Sequence, residues 1–195
     1  MNIAHWFTVL RLCVSPLLPI LYLGYDWLGI PFGWVPYLLL AVLLVSESSD
    51  FFDGFLARKH NLVTDLGKVL DPMADSVTHI SLFLAFTQGV VQLPLLLVLI
   101  FLYRDFFVTT LRTLCALRGV ALAARMSGKV KAVVQAAAAL LVTVLMIPYS
   151  VGWVSLELLQ DASLFIVGIA AAYTLLSVWD YFYANRIYIR RAIES

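Results

Sequence analysis

The stretch LPLLLVLIFL, Leu93–Leu102, decides the fold class before any other part of the chain is read. It runs without a charge and without any alternation of apolar and polar side chains. A membrane-spanning β-strand would alternate over about ten residues, because its two faces meet lipid and lumen in turn. An unbroken apolar run instead suits a helix, which satisfies its own backbone hydrogen bonds in a nonpolar medium. Ala136–Met146 repeats the pattern, interrupted only by Thr143. Composition extends the same reading to the whole chain. Of its 195 residues, 63% are hydrophobic and 13% charged, against about 25% charged in a soluble domain. Water-soluble and disordered readings are thereby excluded. The expected fold class is all-α, a polytopic integral membrane bundle.

Apolar runs bounded by polar or Gly/Pro punctuation predict six transmembrane helices, at 6–25, 35–58, 66–89, 93–116, 129–149 and 161–186. The connections Tyr25–Trp34, Gln88–Gln92 and Tyr149–Gln160 contain no Lys or Arg. Arg11, Arg58, Lys59, Lys68, Arg112, Arg118, Arg125, Lys129, Lys131, Arg186, Arg190 and Arg191 all fall at the opposite face, leaving Arg104 within a span. By the positive-inside rule that face and both termini are cytoplasmic. Trp27, Trp34 and Trp153 are placed in the outer aromatic belt and Trp6 in the inner one. Arg11 within the first apolar run argues for a retained span over a cleaved signal peptide. Residues 1–195 show no internal repeat and no linker, and are read as one domain. Pro16, Pro19, Pro94 and Pro148 are read as structural, at or near helix ends. Cys13 and Cys115 lie in separate apolar runs and indicate neither a disulfide framework nor a metal site. The net charge of +1 gives no sign of a nucleic-acid partner.

Ionisable groups within membrane spans are costly unless they are paired or line a cavity, so they mark function. Here Glu47, Asp50 and Asp53 end the second predicted span, and Asp71 and Asp75 open the third. Asp50 and Asp53 are three apart and Asp71 and Asp75 four apart, so each pair projects from one side of its helix. A short loop around His60–Leu66 makes the two helices antiparallel neighbours. Four converging carboxylates repel one another, and hard divalent cations, Mg²⁺ or Mn²⁺, are their natural counter-charge. Two such ions suit displacement at phosphorus. Gly54 and Gly67 flank the acids where a helix interior would favour Ala, which suggests close approach of a ligand. Ala57 and Arg58 follow one turn after Asp53, with Lys59 and Lys68 as a further positive rim.

The pattern Asp50-x-x-Asp53-Gly54-x-x-Ala57-Arg58-x8-Gly67-x-x-x-Asp71-x-x-x-Asp75 resembles the signature of the CDP-alcohol phosphotransferases, with every fixed position filled. Further local likeness lies in Asn2, Thr8, Arg11 and Pro16, in Leu70-Asp71-Pro72-x-Ala74-Asp75, in Arg104 beside an acid with Leu111-Arg112 after it, and in Gly128-Lys129-x-Lys131. These features are most like the branch of the family whose acceptor is glycerol 3-phosphate. Two positions depart from that branch. Ser76 stands where Lys usually follows the last motif Asp, and Asp105 where Glu usually follows Arg104.

The resemblance implies attack of an alcohol on the β-phosphorus of CDP-diacylglycerol, release of CMP, two divalent cations and a homodimer in the membrane. On that basis Asp50, Asp53, Asp71 and Asp75 are the expected metal ligands, with Asp75 also the general base. Gly54, Ala57, Arg58 and Gly67 are expected to border the CDP-lipid. Arg104 and Arg112 are eight residues apart, about two turns, and can serve one acceptor pocket. Lys129 is the lysine expected to join them, with Lys131, Arg118 and Arg125 assigned to topology. His5 and His60 are read as interfacial, His79 as either structural or an aid to Asp75, and Asp180 as facing the cavity or a helix contact. Inositol phosphate, phosphatidylglycerol and serine are alternative acceptors. A cation transporter using the carboxylates would explain the acids but not the fixed small and basic positions, and a structural subunit explains neither.

Overall fold

The computed structural model describes residues 11–59, 65–117 and 125–194, with the side chains of 50–59, 65–72 and 190–194 outside that description. The described residues are all-helical. A helical turn at 11–14 leads into α1 (Leu17–Leu23), and a short 3₁₀ turn (Phe32–Trp34) leads into α2 (Val35–Lys59). There follow α3 (Asp65–Ala85), α4 (Leu95–Leu117), α5 (Met126–Ser150) and α6 (Leu156–Glu194). α6 packs along both α4 and α5, α5 also touches α2 and α3, and α1 lies against α2 and α3.

The connections α1–α2, α3–α4 and α5–α6 meet at one end of the bundle, and the main apolar core runs inward from it. Leu18, Tyr22, Val35, Leu39, Phe83, Phe86, Phe101, Met146 and Leu159 are buried in one cluster there. The Tyr22 ring stands edge-on to Phe86 at 5.1 Å. Its hydroxyl donates to the Gln88 carbonyl (3.0 Å) and accepts from the Val91 N–H (3.1 Å), tying the α3–α4 connection to α1. Gln160 Nε2 holds the same connection through the Val90 carbonyl at 3.0 Å. Gly89 is required in that turn: its φ is +66°, and a Cβ would stand 2.8 Å from the Tyr22 hydroxyl.

Among the described residues three helices are long and apolar enough to cross a membrane: α2 with its 3₁₀ lead, α5 and α6. The charges Asp65, Lys68, Asp71 and Asp75 on α3, and Arg104, Asp105 and Arg112 on α4, set those two helices apart from them. Trp27 and Trp153, at the loop end, are 84% and 85% exposed.

Two predicted spans are corrected by the structure, and Trp6 lies outside the described residues. The first, expected as one helix over 6–25, is broken at Ser15–Pro16 within its described part. Proline has no N–H to donate and disfavours helical backbone in the residue before it; the Ser15 hydroxyl donates to the Leu12 carbonyl at 3.1 Å. The last, expected at 161–186, is a 39-residue helix. Ser155 starts it early by accepting the Leu158 N–H at 3.2 Å, and no Gly or Pro follows Gly168 to stop it. At about 1.5 Å per residue it is roughly 58 Å long, about twice the thickness of a bilayer's hydrocarbon core.

Candidate active site

The end of the bundle opposite the loops gathers ionisable side chains from α2, α3, α4, α5 and the turn before α1. α3 carries Asp75 in its third turn, where it accepts from Arg11 Nη1. Arg11 is only 4% exposed. It also acts electrostatically on Glu47 of α2. Glu47 in turn accepts from His79 Nε2 on α3 at 2.9 Å, and His79 is buried. Two helices that carry motif acids are thus bridged, and one arginine faces acids from both.

A second cluster adjoins the first. Asp105 on α4 accepts from Arg104 Nη1 at 2.8 Å, and both its oxygens accept from Lys131 Nζ of α5 at 2.8 Å. Lys131 is 3% exposed. Ser76 of α3 lies against the same carboxylate, and Lys131 also feels the charge of Asp75. Charged partners of this kind persist away from water because each offsets the desolvation of the other. Gly128 makes room at this point, since a Cβ there would meet Arg104 Nη2 at 3.3 Å. The Nε atoms of Arg104 and Arg112 are buried without a hydrogen-bond partner. Such donors are rare in a folded chain and call for an acceptor from water, an ion or a ligand. Gln135 Nε2, Ser163 Oγ and the Tyr181 hydroxyl share that condition elsewhere in the bundle.

A third contact fixes the start of α5 to α6. Arg125 makes a two-pronged pair with Asp180, Nε to Oδ2 at 2.8 Å and Nη2 to Oδ1 at 3.0 Å, and the Ser127 hydroxyl donates to Oδ2 at 2.6 Å. Asp180 therefore serves a helix contact, the second of the two roles open to it from sequence.

The structure sorts the remaining expectations. Asp50, Asp53, Gly54, Ala57 and Arg58 fall on the last turns of α2, and Gly67 and Asp71 on the first turns of α3; their side chains lie outside the described residues, as do Lys59 and Lys68. Arg118, His5 and His60 also lie outside them. Among the described residues no group of three His, Cys, Asp or Glu is gathered as a metal site. Asp75 accepts from Arg11, Arg104 donates to Asp105, and Arg112 follows Arg104 by eight residues on α4 with its Nε buried. Lys129 is exposed, and the correction falls on Lys131, assigned from sequence to topology, which is buried and bonded to Asp105. A signal for this was present, because Lys131, Gln135, Ala138, Val142 and Met146 recur every three or four residues and form the buried stripe of α5. Arg11 was likewise assigned to topology, although an arginine inside an apolar run already asks for a partner.

Comparison with known proteins bears on this arrangement. The sequence model for the CDP-alcohol phosphatidyltransferase family matches residues 1–184. The chain is similar to the CDP-diacylglycerol–glycerol-3-phosphate 3-phosphatidyltransferase of Bacillus subtilis (strain 168), with 32% identity over 190 residues, covering 94% of this chain and 95% of the relative. The protein of the same name from Rickettsia typhi (strain ATCC VR-144 / Wilmington) is 31% identical over 189 residues, covering 96% and 98%. That from Sodalis glossinidius (strain morsitans) is 29% identical over 192 residues, covering 95% and 96%.

Proposed function

The chain belongs to the CDP-alcohol phosphatidyltransferase family, and from that premise we propose that it is a phosphatidylglycerophosphate synthase. In this reading it transfers the phosphatidyl group of CDP-diacylglycerol to glycerol 3-phosphate and releases CMP. The observation that carries the reading is a juxtaposition. Asp75, on a helix bearing the eight-residue motif, is bonded to Arg11 and adjoins the cluster in which Arg104 and Lys131 hold Asp105. Arg104 and Arg112 keep buried Nε donors without a protein partner. Near-full-length similarity to enzymes named for this reaction supports the choice of acceptor.

Asp50, Asp53, Asp71 and Asp75 would hold two divalent cations. The donor set fits, since four carboxylates offer only the hard oxygen ligands that Mg²⁺ and Mn²⁺ prefer. When bound, the cations polarise the diphosphate and offset charge that develops on it. The protein's own residues do the rest. Arg11 fixes the orientation of Asp75, which takes the proton from the attacking hydroxyl. Gly54, Ala57 and Gly67 leave the backbone open to the cytidine diphosphate, and Arg58 adds charge for its phosphates. Arg104 and Arg112 receive the acceptor phosphate in place of the missing hydrogen-bond partners. Lys131 and Asp105 hold Arg104 in position from behind.

Six spans, cytoplasmic termini and an active site toward the cytoplasm complete the reading, with a homodimer as the assembly. It is supported by basic residues gathered at the charged end and exposed Trp27, Trp34 and Trp153 at the other. The test is CMP release by purified protein mixed with CDP-diacylglycerol and a panel of acceptors, with and without Mg²⁺ or Mn²⁺. Metal-dependent release fastest with glycerol 3-phosphate is the expected result. A faster reaction with inositol phosphate, phosphatidylglycerol or serine would overturn the acceptor, and cation flux without CMP release would overturn the class.

A further inference from the structure

Glu47 and His79 stand outside the eight-residue motif, yet each lies about one helical turn from it. Glu47 precedes Asp50 by three residues on α2, and His79 follows Asp75 by four on α3. The His79 Nε2–H donates to Glu47 Oε1 at 2.9 Å, and the imidazole is 3% exposed. We propose that this hydrogen bond is a positioning pair that sets the spacing of the two carboxylate-bearing helices, so that the divalent-cation site is built before the cations arrive. The inference rests on the metal-dependent reading above and adds to it the device that holds the ligands in place.

The need for such a device is electrostatic. In the proposed site four carboxylates on two helix ends would repel one another, and without cations that repulsion would drive α2 and α3 apart. Arg11 relieves part of it, because it is bonded to Asp75 and acts on Glu47. A single arginine cannot fix a distance between two helices, but a directional hydrogen bond between them can. Apolar residues at 47 and 79 would pack at least as stably as a buried polar pair. They would also let the helices slide. With His79 buried and the Glu47 side chain 35% exposed, the bond serves as a spacer more than as a source of stability. It plays the part that outer partners play at metal sites, where loss of the partner weakens metal binding by about 10- to 100-fold.

The test measures Mn²⁺ binding to the purified full-length protein without substrate, by electron paramagnetic resonance, alongside the Mn²⁺ dependence of CMP release. His79→Ala should weaken Mn²⁺ binding about tenfold and raise the Mn²⁺ needed for half-maximal activity by the same factor. The kcat at saturating Mn²⁺ should stay within about twofold of the parent. His79→Gln retains an N–H donor of similar reach and should recover most of the affinity. Glu47→Ala should match His79→Ala, and the double variant should be no worse than either, because all three remove one bond. Unchanged Mn²⁺ affinity in a helical, monodisperse His79→Ala protein overturns the proposal. If that variant does not fold, unchanged affinity in Glu47→Ala overturns it equally. Asp71→Asn separates this from the parent reading. If the unmodified protein binds no Mn²⁺, or Asp71→Asn binds it as well as the unmodified protein, the metal-dependent reading falls. If Asp71→Asn loses Mn²⁺ and His79→Ala does not, only the positioning pair falls.

Discussion

The two ends of this bundle solve the problem of polar groups in opposite ways. At the loop end, Tyr22 and Gln160 spend their polar atoms on backbone groups of the α3–α4 connection, and rings such as Phe32 and Tyr149 pack edge-on at 5.9 Å. At the charged end, ionised side chains from four helices and the turn before α1 neutralise one another. Two arginines there still keep buried donors without acceptors. At the loop end the buried atom left without a protein partner is a neutral hydroxyl, Ser163 Oγ, one turn after Gln160. At the charged end the groups left over include cations. Buried charge of this kind lowers stability unless every partner is present, so its concentration at one end supports the proposed ligand site.

The most severe way to test that contrast is Asp75→Asn. Asparagine keeps the shape and loses both the negative charge and the basicity. CMP release should fall by about 10³-fold, with CDP-diacylglycerol binding within a few-fold of the parent in a direct binding assay. Turnover near that of the parent would remove Asp75 from the base role and leave the charged end without a reaction centre. The next effect in size is Lys131→Ala, which leaves Asp105 buried with Arg104 alone. Stability in detergent should drop by about 3 kcal/mol, read as a lowered thermal midpoint, and activity should drop with it. Lys129→Ala, on the exposed side of the same helix, should change neither measurably. Asp105→Asn combined with Lys131→Met should restore much of the stability but not the activity, because the neutral pair no longer holds Arg104.

Sequence periodicity made the helical bundle and both ends of α2, α3, α4 and α5 legible to within about four residues, because an unbroken apolar run best satisfies its backbone as a helix. The break at Ser15–Pro16 was visible as a proline, but not its consequence, since prolines also sit at intact helix ends. The length of α6 was hidden for the opposite reason: Arg186, Arg190 and Arg191 look like the end of a span, yet a helix leaving the membrane need not stop there. In the candidate site, Asp75, Arg104 and Arg112 were legible as charges where none is cheap. Pairings were not. That Arg11 reaches Asp75 across 64 positions, and Lys131 reaches Asp105 across 26, depends on tertiary packing of four helices. Lys129 was preferred over Lys131 for its place beside Gly128. The buried stripe through Gln135 was the signal that Lys131 packs inward.

Arg112→Ala is a smaller but more discriminating test of the charged end. Its unused Nε should matter only when an acceptor phosphate is present. KM for glycerol 3-phosphate should rise about tenfold, the effect of losing one charge-assisted hydrogen bond worth roughly 1.5 kcal/mol, with KM for CDP-diacylglycerol unchanged. Equal changes in both constants would mean that Arg112 supports the fold of the site and not one substrate.

The smallest expected effect comes from the other end, and it checks whether the two ends are independent. Tyr22→Phe keeps the ring against Phe86 and removes one hydroxyl, leaving the Gln88 carbonyl and the Val91 N–H without that partner. The cost should be about 1–2 kcal/mol in stability, seen as a lower thermal midpoint with unchanged kcat and KM. α1 links the ends physically, because the chain that carries Tyr22 at one end carries Arg11 at the other. A Tyr22→Phe protein with normal stability but altered kcat would show that α1 transmits a shift from the loops to Asp75. A protein with lowered stability and normal kinetics would show that the break at Ser15–Pro16 uncouples them, so that the core can be weakened without moving the arginine on which Asp75 depends.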